Sequence, residues 1–265
     1  MTTRRILATF AVLTAVLVLI RLVPRRRLSE RLPSSVAVYD AQHHLLRLTL
    51  ASDEKYRLAV PLSRIPPVLI EAVLLREDRH FYAHPGANPV AIVRAAWETY
   101  ARRGRRIGGS TITMQLTRLW DRMNTRTPAG KLRQIVGAVE LETLHSKREI
   151  LEAYLNSAPY GGNVEGVAAA SLIYFGKPVE RLTLPEALTL AVIPQNPSRR
   201  TPDRLGNQSL VRARWSLYQQ WLEVHPEDKR DEGLMRLPMA MRDPGALPFL
   251  APHFVNEILP SARGP

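Results

Sequence analysis

Apolar positions in this chain first form a long run, residues 6–20, which continues past Arg21 to Val23. Arg4 and Arg5 precede the run, and Pro24 with Arg25, Arg26 and Arg27 closes it. Its length is at the short end of the roughly 17–25 residues that a membrane-spanning helix needs. No small-x-small cleavage pattern follows, so the expectation is an uncleaved signal-anchor rather than a removed signal peptide. Arginines flank both ends, and counting them favours the wrong side for an exported domain, so charge alone does not set the orientation. Residues 36–39 and 45–50 then read as two short strands joined by a loose turn at 40–44.

From about Ile65 onward the pattern is helical. Ser63 and the Pro66-Pro67 pair precede an apolar helix that ends near Glu77 and Asp78. Asn88 followed by Pro89 predicts a capped helix start, with a stop at Gly104. Thr127-Pro128 repeats that signal ahead of a helix reaching about Leu144. Ser146 with Glu149, and Thr183 with Glu186, have capping-box spacing. Gly176 is placed to end the helix that contains Ala168 to Phe175. A last long helix is expected from Asn207 to Val224, carrying Trp215, Leu217 and Trp221. The chain beyond it is rich in proline, and no internal repeat is visible. The expected organisation is a tip and signal-anchor at 1–27, a small β segment at 28–60, a helical domain at 61–202 and a linker-like tail at 203–265.

Composition narrows the chemistry. The 265 residues carry 37 Lys and Arg against 24 Asp and Glu, a formal charge of +13. That excess points to an anionic partner, whether nucleic acid, anionic lipid or a phosphorylated substrate. No cysteine is present, which excludes disulfides, thiolate metal sites and a cysteine nucleophile. The tract Arg102-Arg103-Gly104-Arg105-Arg106 reads as a solvated surface or, next to anionic lipid or pyrophosphate, as a run that steers substrate, and no nucleic-acid recognition motif accompanies it.

Two clusters could carry chemistry. Arg76-Glu77-Asp78-Arg79-His80-Phe81-Tyr82-Ala83-His84-Pro85-Gly86 falls where a helix enters a turn. It reads as a catalytic helix end, as a His80/His84 metal pair, or as ordinary surface charge. Gly108-Gly109-Ser110-Thr111 opens a helix that continues through Gln115 to Arg118. Glycines and hydroxyls at a helix start make a backbone-amide anion site; the alternative is a flexible loop with a Ser/Thr cap. No Gly-Lys-Ser/Thr occurs, so this is not a P-loop.

Taken in order, these segments resemble the peptidoglycan glycosyltransferases. That family comprises the polymerase domain of class A penicillin-binding proteins and the monofunctional transglycosylases. Glu77-Asp78-x-x-Phe81-x-x-His84-x-Gly86 and Gly108-Gly109-Ser110-Thr111-Ile112-Thr113-x-Gln115-Leu116 look like its first two motifs. Ser146-Lys147-x-Glu149-Ile150-Leu151-Glu152-x-Tyr154-Leu155-Asn156 and Gly166-x-x-Ala169-Ala170-x-x-Tyr174-Phe175-Gly176-Lys177 are similar to two later ones. Met114 and Ser157-Ala158-Pro159-Tyr160-Gly161-Gly162 resemble the 1C branch. The resemblance implies a mainly α, lysozyme-like fold with a small N-terminal β element and a transmembrane helix. It implies polymerisation of lipid II through β-1,4 bonds, with release of undecaprenyl pyrophosphate. Glu77 would be the general base. Ser110, Thr111, Gln115, Arg118 and Lys131 would bind substrate, and Asp78, Phe81 and His84 would shape the site.

One motif departs from the pattern. Where the family usually has Arg-Lys-x-x-Glu, this chain has Gly130-Lys131-Leu132-Arg133-Gln134. Gln134 replaces the second acidic catalytic residue with a neutral amide, so only weak dependence on Mg²⁺ or Mn²⁺ is expected. Arg133 is the candidate to replace the missing cation. The only Ser-x-x-Lys match is Ser52 to Lys55, upstream and without partner motifs, and residues 203–265 look like the linker to a transpeptidase. The expectation is a polymerase-only product in the bacterial inner membrane, single-pass, with its catalytic domain on the extracytoplasmic side. Expected partners are lipid II, the nascent glycan strand, the membrane, and a separate transpeptidase or other cell-wall synthesis protein, with no nucleic acid. The competing readings are an inactive scaffold and a lysozyme-like muramidase or lytic transglycosylase.

Overall fold

A computed structural model of the chain describes residues 28–87, 110–121, 123–125, 127–200, 207–237 and 239–262. The apolar run at 6–23 and the helix expected from Pro89 to Gly104 lie outside the described residues. No helix among the described residues is long and apolar enough to cross a membrane.

The described chain is mainly helical. A hairpin of β1 (Ala37–Tyr39) and β2 (Leu45–Leu48) comes first, then α1 (Pro67–Glu77), α2 (Ile112–Trp120), α3 (Pro128–Leu144) and α4 (Lys147–Ser157). A small antiparallel pair follows, β3 (Pro159–Gly161) with β4 (Val164–Glu165), and then α5 (Val167–Phe175), α6 (Leu184–Val192), α7 (Gln208–Leu222) and α8 (Pro252–Ala262). One-turn helices lie at Pro197–Arg200 and Glu232–Arg236. The described residues form two compact units: parts of Met1–Arg31 with Tyr82–Leu151, and Leu32–Phe81 with Glu152–Pro265.

In the first unit α2 packs on α3. Thr127 caps α3 as its position predicts, its Oγ1 accepting from the Gly130 N–H at 3.1 Å. The buried face of α3 is Gln134, Ala138, Leu141 and Glu142. Helical spacing explains the stripe, but two of its four members are polar, and a buried polar group must find partners. Glu142 finds Thr113, whose hydroxyl donates at 2.6 Å, and the Lys147 ammonium at 2.7 Å. The Ser146–Glu149 capping box forms as expected, with the Ser146 N–H donating to Glu149 at 2.8 Å and the Glu149 N–H to Ser146 Oγ at 3.3 Å.

The core of the second unit is α1, α6 and α7, with α1 lying on α6 and α7 across both. Leu69, Ala72 and Val73 of α1 are buried, as are Ala187, Leu188 and Leu190–Val192 of α6. Each fully buried Leu or Val contributes about 1.5–3 kcal/mol. α5 is apolar nearly all round and is buried accordingly. Gly176 ends it in the left-handed region, φ 66°, a conformation that glycine adopts without steric cost. The entry to α1 is fixed by α4. Asn156 accepts from the Val60 N–H at 2.9 Å and donates to the Val60 carbonyl at 2.8 Å, while Glu152 accepts from the Leu62 N–H at 2.8 Å. The helix that carries Glu77 is thereby held at its start.

Candidate active site

Glu77 is the last residue of α1. The Asp78 N–H closes the helix on the Leu74 carbonyl at 2.9 Å, and the Phe81 N–H turns back to the Asp78 carbonyl at 2.9 Å. The chain therefore leaves the helix directly after Glu77. Asp78 is 8% exposed and Phe81 1%. Glu77 itself is only partly exposed, and its Oε1 is withdrawn from solvent. Three residues not selected from the sequence gather in this region. Arg200 donates to the Val192 carbonyl at 2.6 Å and to Gln195 at 2.9 Å, and Arg76 also donates to Gln195. Burial and then the Arg76 charge lower the Arg200 pKa, and Glu77 opposes them. Tyr160 is fully buried, and its hydroxyl has no hydrogen-bond partner among the described residues. Burial and then the Glu77 charge raise its pKa, so the phenol stays neutral.

The rest of the predicted set lies in the first unit. Helix α1 has ended before His80, so His80 and His84 do not share a helix face; His80 is exposed and His84 is 6% exposed. The helical metal-pair reading fails on that ground. The His84 carbonyl accepts from the Lys147 ammonium at 2.7 Å, and the Thr111 hydroxyl donates to the Gly86 carbonyl at 2.5 Å. Thr111 also caps α2, accepting from the Met114 N–H at 3.1 Å. Thr111 thus acts as a cap and a brace, with its oxygen committed to the backbone.

Lys131 is the centre of this group. Its ammonium donates to Ser110 Oγ at 2.7 Å and to Gln134 Oε1 at 3.0 Å. Burial and then the Arg118 charge depress its pKa. Gln115 and Arg118 follow Thr111 at four and seven residues, on one side of α2. Two cations and a hydroxyl on one surface are suited to an anion of several oxygens. Arg133 is not part of this group. It is exposed, makes no hydrogen bond or ion pair among the described residues, and lies about 200° around α3 from Lys131 at 100° per residue.

Both departures from the family pattern have a local cause. Gln134 is 1% exposed, and its Nε2 donates to the Met114 carbonyl at 2.6 Å while its Oε1 faces Lys131. The amide is in use at both ends, its Nε2 joining α3 to α2 and its Oε1 holding Lys131 within α3, and a carboxylate could not donate to that carbonyl. At position 130 an added Cβ would overlap the Asn124 carbonyl oxygen, so the turn before α3 leaves no room for an arginine. These donors do not fit a divalent ion. The one amide oxygen already accepts from an ammonium, and Glu142, the buried carboxylate of α3, is bound to Lys147.

The transglycosylase family model matches residues 43–220, and the chain belongs to that family. It is 39% identical over 242 residues to penicillin-binding protein 1C of Escherichia coli K12, covering 89% of this chain and 30% of that protein. Against penicillin-binding protein 1A of the same organism it is 39% identical over 172 residues, 65% of this chain and 20% of the other. The chain thus spans about a third or less of the length of these relatives. A crystal structure of penicillin-binding protein 1A from Haemophilus influenzae aligns with TM-score 0.45 and 21% identity, over 88% of this chain and 24% of that one.

Proposed function

We propose that this chain is a membrane-anchored peptidoglycan glycosyltransferase. It polymerises lipid II into β-1,4-linked glycan strands and releases undecaprenyl pyrophosphate. The observation that carries the reading is Glu77, a partly shielded carboxylate at a helix end, in a chain whose family is defined by sugar transfer. The acceptor 4-hydroxyl is a poor nucleophile until its proton moves, and Glu77 takes that proton. The acceptor oxygen then bonds to the donor's anomeric carbon as the bond to pyrophosphate breaks. The leaving group keeps the electron pair, and configuration inverts without a covalent enzyme intermediate. The negative charge that develops is met by Lys131, Arg118 and Ser110. No step requires a metal ion at Gln134.

The muramidase reading explains Glu77 but leaves the cationic surface around Lys131 without a task, because hydrolysis of a glycan releases no pyrophosphate. One of the grounds for the scaffold reading is Gln134 taken as a lost acid. Its two hydrogen bonds supply another reason for that residue. The same proposal takes residues 1–27 as tip and anchor, and puts the domain outside the cytoplasm. Incubation with fluorescent lipid II and separation of the products on a gel tests the reaction. A ladder of glycan polymers is expected. Cleavage of preformed peptidoglycan without any ladder would favour the muramidase, and neither product would favour the scaffold.

A further inference from the structure

A second concave site lies within the Leu32–Phe81 and Glu152–Pro265 unit. It is a cavity of about 750 Å³, within the usual range of small-molecule sites, roughly 300–1,000 Å³. The hairpin turn, the end of α5, the Val179–Arg181 turn and the tail around Pro244–Ala246 converge on it. It is not the Glu77 site. Its Arg64 precedes the start of α1, whereas Glu77 is the last residue of that helix, about 15 Å away along the axis at 1.5 Å per residue.

The lining has two kinds of surface. Leu172 and Ile173 of α5, 7% and 1% exposed, form an apolar floor with Leu247 of the tail. Arg64, Arg181 and Arg242 bring three guanidiniums against one carboxylate, Asp243. Asp243 accepts from the Gly245 N–H at 2.8 Å. Arg64 is paired with Glu180. Arg181 and Arg242 have no ion pair among the described residues. Arg242 is fixed by its backbone, whose N–H donates to the Tyr174 carbonyl at 2.8 Å, and its guanidinium lies against Gly176, where a side chain would otherwise be. Guanidiniums beside an apolar floor match neither a bare inorganic anion nor a neutral hydrocarbon. The first would leave the floor wet, and the second would desolvate the arginines without a partner.

We propose that this cavity binds an anionic amphiphile, a phosphate head on an apolar stem, with Arg181 and Arg242 on the head and Leu172, Ile173 and Leu247 along the stem. The head group comes from a lipid or from a soluble organophosphate. The proposal does not depend on the lipid II reading, because none of these residues is placed in that reaction.

Calorimetric titration of the full chain separates the cases. The probes are 1,2-dihexanoyl phosphatidate below its micelle concentration, phenyl phosphate, and inorganic phosphate. Both amphiphiles should bind, and inorganic phosphate at least about tenfold more weakly, since it gains nothing from the floor. The double variant Arg181→Ala/Arg242→Ala should weaken phosphatidate about tenfold or more, as loss of charge-assisted contacts does. Leu247→Asp should weaken it as well. Arg181→Gln, at an exposed turn that leaves the end of α5 intact, should lower affinity severalfold and keeps the test open if the double variant misfolds. Phosphatidate tighter than phenyl phosphate supports the proposal with a lipid source, and equal affinities support it with a soluble one. The proposal is overturned if neither amphiphile binds, if inorganic phosphate binds as tightly as phosphatidate, or if the arginine variants bind like wild type. It is also overturned if the loss appears in Lys131→Ala instead, which would place the anion on α3.

Discussion

Lys131 holds its proton less firmly than an ordinary lysine, because it is half-buried and faces Arg118. A deprotonated Lys131 cannot meet a developing anion. Affinity for inorganic pyrophosphate should therefore fall as pH rises through a value below the usual 10.5. Arg118→Gln removes the like charge, so that limb should move to higher pH; an unchanged limb would mean that Lys131 does not bind the anion. At Gln134, the sequence shows a lost carboxylate and the structure shows an amide in use at both ends. Gln134→Glu should cost about 1–3 kcal/mol in denaturant unfolding, as it sets a carboxylate against the Met114 carbonyl. Tyr160 behaves in the opposite way. Its buried hydroxyl has no hydrogen-bond partner among the described residues, so Tyr160→Phe should raise the melting temperature, and a lower one would reveal a further bond.

At the scale of elements, local signals were read well and distant ones were not. The helix starts at Thr127 and Thr183 are caps that act within three residues, and both form as predicted; Asn207, predicted only as a helix start, also caps α7. The partner of Gln134 lies 20 residues away on α2, and Gln195 lies 119 residues from Arg76. No periodicity or cap marks such pairs, so Arg200, Gln195 and Tyr160 went unselected. A similar long-range contact joins α1 to the segment after α7. His225 Nε2 meets Glu71 at 2.8 Å and Nδ1 meets Glu227 at 3.3 Å; the ring stacks on Trp221, whose Nε1 donates to Asp228 at 2.8 Å. The hydrogen bond to Glu71 does most to raise the His225 pKa above 6.5; burial opposes it, and the hydrogen bond to Glu227 and the two carboxylate charges add to the rise. A raised pKa stabilises the folded state fully below the unfolded value near 6.5, and the gain is lost as pH rises through the folded value. Melting temperatures taken on both sides of that window should show the loss in wild type. In Glu71→Gln the dependence should flatten.

For the whole molecule, the ordered motifs made the family and the helical class legible, because four of them recur at fixed order and no chance pattern does that. The division into two units was not legible, since each unit joins segments that are distant in sequence. The net charge of +13 fits an anionic membrane and an anionic leaving group but selects neither. Topology is a property of the whole chain as well. A reporter enzyme active only outside the cytoplasm, fused after Pro265, should be active; silence there with an active cytoplasmic reporter would reverse the orientation. The central claim, that this chain polymerises a lipid-linked disaccharide with Glu77 as base, is tested most directly by one comparison: the rate of fluorescent lipid II polymerisation by wild type and by Glu77→Gln. The account predicts a fall of about 10²–10⁴-fold with unchanged circular dichroism and melting temperature. Near-normal turnover in the variant would contradict it.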